Sequence, residues 1–191
     1  VRIVGGRLKG RSLHGPKGEG IRPTSDRLRE SLFNILAHSH DDPVPGARVI
    51  DLFAGTGGLG IEALSRGADF ALFVDDGAQA RALIRENVEA LGLGGVTRIF
   101  RRDARRLGVA PPGPPYDLAF LDPPYDRGLA EPALSALARG GWLKPGALAV
   151  VEEASAAVFE PAPGFDVLER RSYHDTELII LRHAFVTTAD P

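Results

Sequence analysis

The sequence has 191 residues, enough for one α/β domain, with 43% hydrophobic and 25% charged residues and a formal net charge of −2. It has no cysteine, which excludes disulfides, thiolate metal sites, iron–sulfur clusters and any cysteine nucleophile. No apolar run approaches the length of a membrane span and no secretory leader is evident, so a cytoplasmic protein is expected.

The charge is unevenly spread. Residues 1–30 hold eight Lys/Arg against three Asp/Glu, whereas the remainder holds 15 against 22. A basic arm on an acidic body suggests an anionic partner for the arm. Two short runs around Gly5-Gly6 predict a small hairpin lined by Arg2, Arg7, Lys9 and Arg11, and the glycine-rich segment His14 to Gly20 reads as a mobile loop. Thr24, Ser25 and Asp26 are candidate N-caps for a helix whose apolar face is Leu28, Leu32, Ile35 and Leu36. Arg22, Arg27 and Arg29 lie off that face, where they can grip phosphates or simply be solvated. His38-Ser39-His40-Asp41-Asp42 reads as the polar end of the helix and its linker rather than as a metal site, and no metal is expected. The expected organisation is an arm over residues 1–42, a main domain over 43–185 and a tail over 186–191.

From Arg48 onward strand and helix patterns alternate, which argues a parallel sheet with helices on both faces. Arg48 to Leu52 is an apolar run that breaks into Gly55-Thr56-Gly57-Gly58-Leu59-Gly60, after which apolar residues resume at helical spacing. Strand, glycine turn and helix form the entry to a cofactor site, where glycines let the backbone approach a ligand and the helix start favours an anionic group. The G-x-G-x-x-G alone would suit a nicotinamide nucleotide. Asp51 argues otherwise. A carboxylate inside the strand end repels a pyrophosphate and welcomes a cation, such as the ammonium of an amino acid. S-adenosylmethionine carries that ammonium and a sulfonium.

Phe70 to Val74 is the second predicted strand. Asp75 and Asp76 follow it at the distance where an acid contacts ribose hydroxyls, Asp75 being the first choice. Ala78 to Leu91 predicts a helix and Val96 to Phe100 the third strand, followed by Arg101-Arg102-Asp103-Ala104-Arg105-Arg106. Here Asp103 is either a cofactor contact or an ion-pair partner of the arginines. Pro111 to Pro115 is a surface loop, and Asp117 to Leu121 is a fourth, central strand.

That strand runs into Asp122-Pro123-Pro124-Tyr125. Two prolines give a stiff turn without backbone N–H donors but with free carbonyls. The turn thus offers a carboxylate, a Pro123 carbonyl and an aromatic ring, a set that fits an exocyclic amine on a planar base. Downstream, Gly128 to Arg139 predicts a helix, Trp142 a core residue, Ala147 to Val151 a fifth strand, and Phe165 to Arg171 with Glu177 to Arg182 a closing pair.

The glycine stretch with Asp51 resembles the first motif of class I S-adenosylmethionine-dependent methyltransferases, and Asp122-Pro123-Pro124-Tyr125 resembles their amino-methyltransferase motif. More closely, Arg2-Ile3-Val4-Gly5-Gly6, Arg22-Pro23-Thr24, Asp26-Arg27, Arg29-Glu30, Leu32-Phe33-Asn34, Phe53-Ala54-Gly55, Leu59-Gly60, Glu62-Ala63-Leu64-Ser65-Arg66 and Asp122-Pro123-Pro124 resemble the RsmD family of bacterial 16S rRNA guanine-N2 methyltransferases. The resemblance implies a doubly wound, mostly parallel seven-stranded sheet with its last strand antiparallel, extended by an N-terminal hairpin and helix. It implies S-adenosylmethionine held by Asp51, Phe53, Ala54, Gly55, Thr56, Gly57, Asp75, Asp76, Asp103 and Ala104. It further implies catalysis at Asp122, Pro123, Pro124 and Tyr125, and 16S rRNA bound by Arg2, Arg7, Lys9, Arg11, Arg22, Thr24, Arg27 and Arg29. The expected substrate is an assembled or nearly assembled small ribosomal subunit, and the expected protein a monomer. Amine methylation on DNA or on a protein glutamine, and a non-catalytic RNA-binding module, are the alternatives.

Overall fold

Alternating side chains sort the strands onto two faces, and helices cover both. A computed structural model describes residues 1–16, 24–125, 127–155 and 158–184. Seven strands form one sheet: β1 (Arg48–Leu52), β2 (Phe70–Val74), β3 (Thr97–Phe100), β4 (Tyr116–Leu121), β5 (Leu143–Ala154), β6 (Phe165–Tyr173) and β7 (Thr176–His183). Their order is β3-β2-β1-β4-β5-β7-β6. The first five are parallel, and β7 runs antiparallel to both β5 and β6. The helices are α1 (Asp26–Ser39), α2 (Gly58–Ser65), α3 (Ala78–Ala90) and α4 (Ala130–Arg139).

Ile50, Leu52, Leu72, Val74, Ala119 and Leu121 share one core with α4. Their neighbours one residue away, Val49, Leu118 and Phe120, pack under α1 and α2, while Ala71 and Phe73 pack with α2 and α3. This period of two is what a sheet buried on both faces requires. Trp142 is fully buried, its indole N–H donating to the Gly108 carbonyl at 2.9 Å.

Several boundaries differ from the sequence reading. β5 begins at Leu143 rather than at residue 147, because Tyr116 already pairs with Leu143 before a register shift, and it runs on to Ala154 because β7 pairs that far. The α4 helix starts two residues late, since Gly128 has a φ of +60° outside the helical range. Gly94–Val96 forms one 3-10 turn, so β3 begins at Thr97.

The predicted N-terminal hairpin contains a single antiparallel bridge, Arg2 to Ser12. Ile3 N–H donates to the Arg11 carbonyl, Gly10 N–H to the Ile3 carbonyl and Leu13 N–H to the Val1 carbonyl, and α2 satisfies further groups. Arg7 N–H donates to the Ser65 carbonyl, the Ser65 hydroxyl donates to the Gly5 carbonyl at 2.6 Å, and Leu8 N–H donates to the Ser65 hydroxyl. Gly6, at φ +77°, allows this approach, since a Cβ there would stand 2.0 Å from the Ser65 carbonyl oxygen. Ile3, Leu8 and Leu13 enter the core with Ile61 and Leu64. Residues 17–23, including Arg22, and the 186–191 tail lie outside the described residues. Among the described residues, no helix is long and apolar enough to cross a membrane.

Candidate active site

The strand order reverses between β1 and β4, and ligands of open α/β sheets bind beyond the carboxyl ends of strands at such a point. Leu52 pairs with Leu121 there, so Asp51 and Asp122 come from adjacent strand ends. A chamber of about 1100 Å³ opens above them. Its lining includes Asp51, Phe53, Ala54, Gly55 and Thr56, then Asp75 and Asp76, then Asp122 to Tyr125 with Glu152.

Local backbone geometry shapes the floor. Phe53 adopts a left-handed conformation with φ 57°, rare for a residue with a side chain, and Gly55 and Gly57 follow with φ 59° and 80°. This reverses the chain from β1 into α2. A Cβ on Gly60 would stand 2.5 Å from the Phe73 ring and 3.3 Å from the Asp51 carboxylate. Glycine there lets α2 sit down on the sheet, and its N–H donates to Asp51 Oδ2 at 3.0 Å. Asn87 of α3 holds the turn from outside, donating to the Thr56 carbonyl at 2.9 Å and to the His14 carbonyl at 3.1 Å.

Asp51 is 1% exposed, and burial, far more than the nearby Asp75 charge, pushes its pKa up to about 8. Asp75 accepts from Gly55 N–H at 3.0 Å and Gly77 N–H at 2.9 Å, retaining acceptor sites for a further donor. Asp76 is exposed beside it. At the β4 end, the Thr24 hydroxyl lies 2.8 Å from Asp122 Oδ2 and 3.1 Å from Glu152 Oε2. The Tyr125 hydroxyl lies 3.2 Å from Glu152 Oε1 and 2.7 Å from the Thr176 hydroxyl. Burial, then the Glu152 carboxylate, hold the Asp122 pKa well above the usual carboxylate range. An acid-rich, partly dry chamber of this kind favours a cationic ligand.

Four residues expected to meet cofactor or RNA make other contacts. Arg29 does not face RNA: it is 1% exposed, bonded through Nε to Glu62 at 2.9 Å and through an amino group to the Arg2 carbonyl, because the arm covers the helix face that the sequence left open. Thr24 spends its hydroxyl on the two carboxyls instead of on a phosphate. Asp103 turns to Arg105, with oxygens 2.8 and 3.1 Å from its guanidinium, and Ala104 is buried in the α4-side core, so neither lines the chamber. Arg2, Arg7, Lys9, Arg11 and Arg27 are exposed.

The family model described as "Conserved hypothetical protein 95" matches residues 1–182. Ribosomal RNA small subunit methyltransferase D of Escherichia coli (strain K12) is 42% identical over 153 residues, covering 80% of this chain and 74% of that protein. The chain belongs to the RsmD family. The methyltransferase of the same name from Haemophilus influenzae is 37% identical over 155 residues, 80% of this chain and 78% of that one. The solved structure of yhhF from Escherichia coli superposes with a TM-score of 0.80 at 32% identity, over 96% of this chain and 98% of its own. The sheet is thus that of a class I methyltransferase, and the activity of this RsmD-family chain is methyl transfer.

Glu152, Thr176 and residues Tyr173 to Asp175 around the β6–β7 turn, which also line this RsmD-family chamber, were not singled out from the sequence, nor was Asn87 behind the glycine turn. The available signal for Glu152 was its place in an acidic pair, Glu152-Glu153, at the end of an apolar strand.

Proposed function

We propose that this protein transfers a methyl group from S-adenosylmethionine to the exocyclic N2 amine of a guanine in 16S rRNA of the small ribosomal subunit. The observation that carries the reading is the single acidic chamber joining the glycine turn at Asp51 to the Asp122-Pro123-Pro124-Tyr125 turn. The relatives named as small-subunit rRNA methyltransferases support the RNA class, and the family resemblance supports guanine.

The donor fits the residues present. Asp51 offers a buried carboxylate to an ammonium, Asp75 and Asp76 offer acceptors to ribose hydroxyls, and Phe53 to Gly57 provide the turn against which it lies. Asp103 would serve an adenine only after leaving Arg105. When bound, S-adenosylmethionine supplies an electrophilic methyl group on a sulfonium.

The chain's own residues do the rest. Asp122 and the Pro123 carbonyl accept the two hydrogens of the target amine and so aim its lone pair. An aromatic amine is a poor nucleophile, and this orientation, with exclusion of water, supplies much of the acceleration. The Asp122 carboxylate also stabilises the positive charge that grows on nitrogen. Tyr125, pinned through its hydroxyl, stacks on the base. The exposed Arg2, Arg7, Lys9, Arg11 and Arg27 dock RNA phosphates, and Arg22 joins them in this proposal. The protein acts as a cytoplasmic monomer on an assembled or nearly assembled subunit.

The test is transfer of labelled methyl to small subunits lacking their own methylation, with naked 16S rRNA in parallel, followed by digestion to nucleosides. Label in N2-methylguanosine is expected. Label on adenine or cytosine overturns the target, and no label on either substrate overturns the reading.

A further inference from the structure

Glu152 is 6% exposed and lies at the chamber end of β5, paired across the sheet with Leu178 of β7. The Thr24 hydroxyl bridges its carboxyl to that of Asp122, reaching one oxygen of each at 3.1 and 2.8 Å. The Tyr125 hydroxyl occupies the other Glu152 oxygen. Two carboxylates this close do not both ionise readily, and one hydroxyl proton cannot serve two full charges, so the arrangement retains a shared proton.

We propose that Asp122 and Glu152 act as one carboxyl pair that receives the proton leaving the methylated nitrogen, with Asp122 as the acceptor in contact and Glu152 as the residue that positions and tunes it. The inference rests on the reading that an exocyclic amine is seated at Asp122. Once that nitrogen carries its new methyl group, it holds one proton too many. Its N–H bond breaks, the electron pair stays on nitrogen, and an O–H bond forms on Asp122. The pair passes from one proton to two and is neutral. After the product leaves, one proton returns to water. Glu152 touches the reaction only through Asp122 and is therefore a positioning residue.

The pair faces groups from every element around it: Asp51 of β1, Thr24 ahead of α1, Tyr125 of the turn and Thr176 of β7. Arg29 of α1 reaches the Thr24 carbonyl at 3.3 Å, and Arg27, Asp75, His174 and Asp175 line the same chamber. Burial and the Glu152 charge raise the Asp122 pKa, whereas the Thr24 hydroxyl lowers it. A pair that titrates in the reaction shifts its acid limb when either neighbour is removed, which a structural role does not require.

The experiment is the single-turnover rate of methyl transfer to small subunits against pH, for wild type, Glu152→Gln and Thr24→Val, with S-adenosylmethionine affinity measured alongside as a control on folding. Both replacements preserve side-chain shape. In wild type the rate falls on the acid side, where the pair becomes doubly protonated before reaction. Glu152→Gln is expected to lower the rate about tenfold or more and to move this acid limb up, because the proton-bearing Glu152 carboxyl no longer donates to the ionised Asp122. Thr24→Val is expected to move it up. Limbs that stay in place in both variants, whatever the drop in rate, overturn the proposal while leaving the function standing. A wild type that transfers no methyl to any RNA overturns the function, and this inference falls with it.

Discussion

Asp122→Ala is expected to lower single-turnover methyl transfer about a thousandfold, a magnitude typical of losing one positioned charged group or proton acceptor. The affinity for S-adenosylmethionine should stay within about threefold, since the contacts proposed for it come from β1, the glycine turn and the end of β2. In the proposed reaction the variant loses the acceptor that aims the amine, the charge that stabilises the growing positive nitrogen, and one member of the carboxyl pair bridged by Thr24. Asp122→Asn should fall between wild type and alanine, because its amide oxygen still accepts a hydrogen bond but carries no charge. Labelled-methyl quench assays with titration calorimetry check both halves. An alanine variant with wild-type turnover would remove Asp122 from the chemistry.

Glu62→Ala is expected to be the most destabilising single change in the arm–body junction. Glu62 is fully buried, and its two oxygens accept from Arg29 Nε, Arg66 Nε, Val4 N–H and Gly5 N–H at 2.9 to 3.0 Å. Deleting it takes from the fully buried Arg29 guanidinium its buried carboxylate, leaving only the part-exposed Asp26 at 3.0 Å as a charged partner among the described residues, and leaves two backbone donors without that acceptor. Breaking a buried pair in this way costs about 3–5 kcal/mol. For a chain of this size that lowers Tm by about 10 °C. Because Val4 and Gly5 are tied to α2 through the same carboxylate, residues 1–13 should also become cleavable by protease before the body unfolds. A Tm within about 2 °C of wild type would show that the hydrogen bonds from Ser65 and Asn87 and the apolar contacts hold the arm without Glu62. These contacts are Ile3, Leu8 and Leu13 against Ile61 and Leu64.

The parts of the site written contiguously in the chain were the legible ones. Asp51 with its glycines, and Asp122 with its prolines and tyrosine, announce their chemistry within a few residues because each is one strand end and the turn after it. Strand–helix alternation likewise made the sheet legible, while boundaries set by long-range pairing, such as Leu143 joining Tyr116, were not. The residues missed are those whose role is created by distant contacts. Glu152 becomes part of the site through the placement of β5 beside β4 and through Thr24, 128 residues away. Arg29 read as a charged position off the apolar face of its helix and Glu62 only as part of a family-like stretch, and both are buried because the N-terminal arm covers the faces they occupy. Asp103 stands where the family places a cofactor contact, but an arginine two residues on captures it locally.

Recognition of the donor's cationic end by a buried, reluctant carboxylate at Asp51, as proposed above, makes donor affinity depend on pH, and that dependence is the measurement to make first. In the free protein burial holds the Asp51 pKa at about 8, so the group is largely protonated at neutral pH. A bound ammonium favours the ionised form, lowers that pKa and expels the proton. Affinity should therefore rise with pH up to about 8, by at most about tenfold per unit, and level off above it, with about one proton released per donor bound at pH 7. Asp51→Asn should abolish this slope and weaken binding about tenfold or more at pH 8.5. It should not weaken the fold there, since a group whose pKa is raised on folding loses its stabilising effect as pH climbs through that value, and asparagine has no such loss. A pH-independent affinity in wild type, or an asparagine variant that binds S-adenosylmethionine as tightly at pH 8.5, would contradict the account.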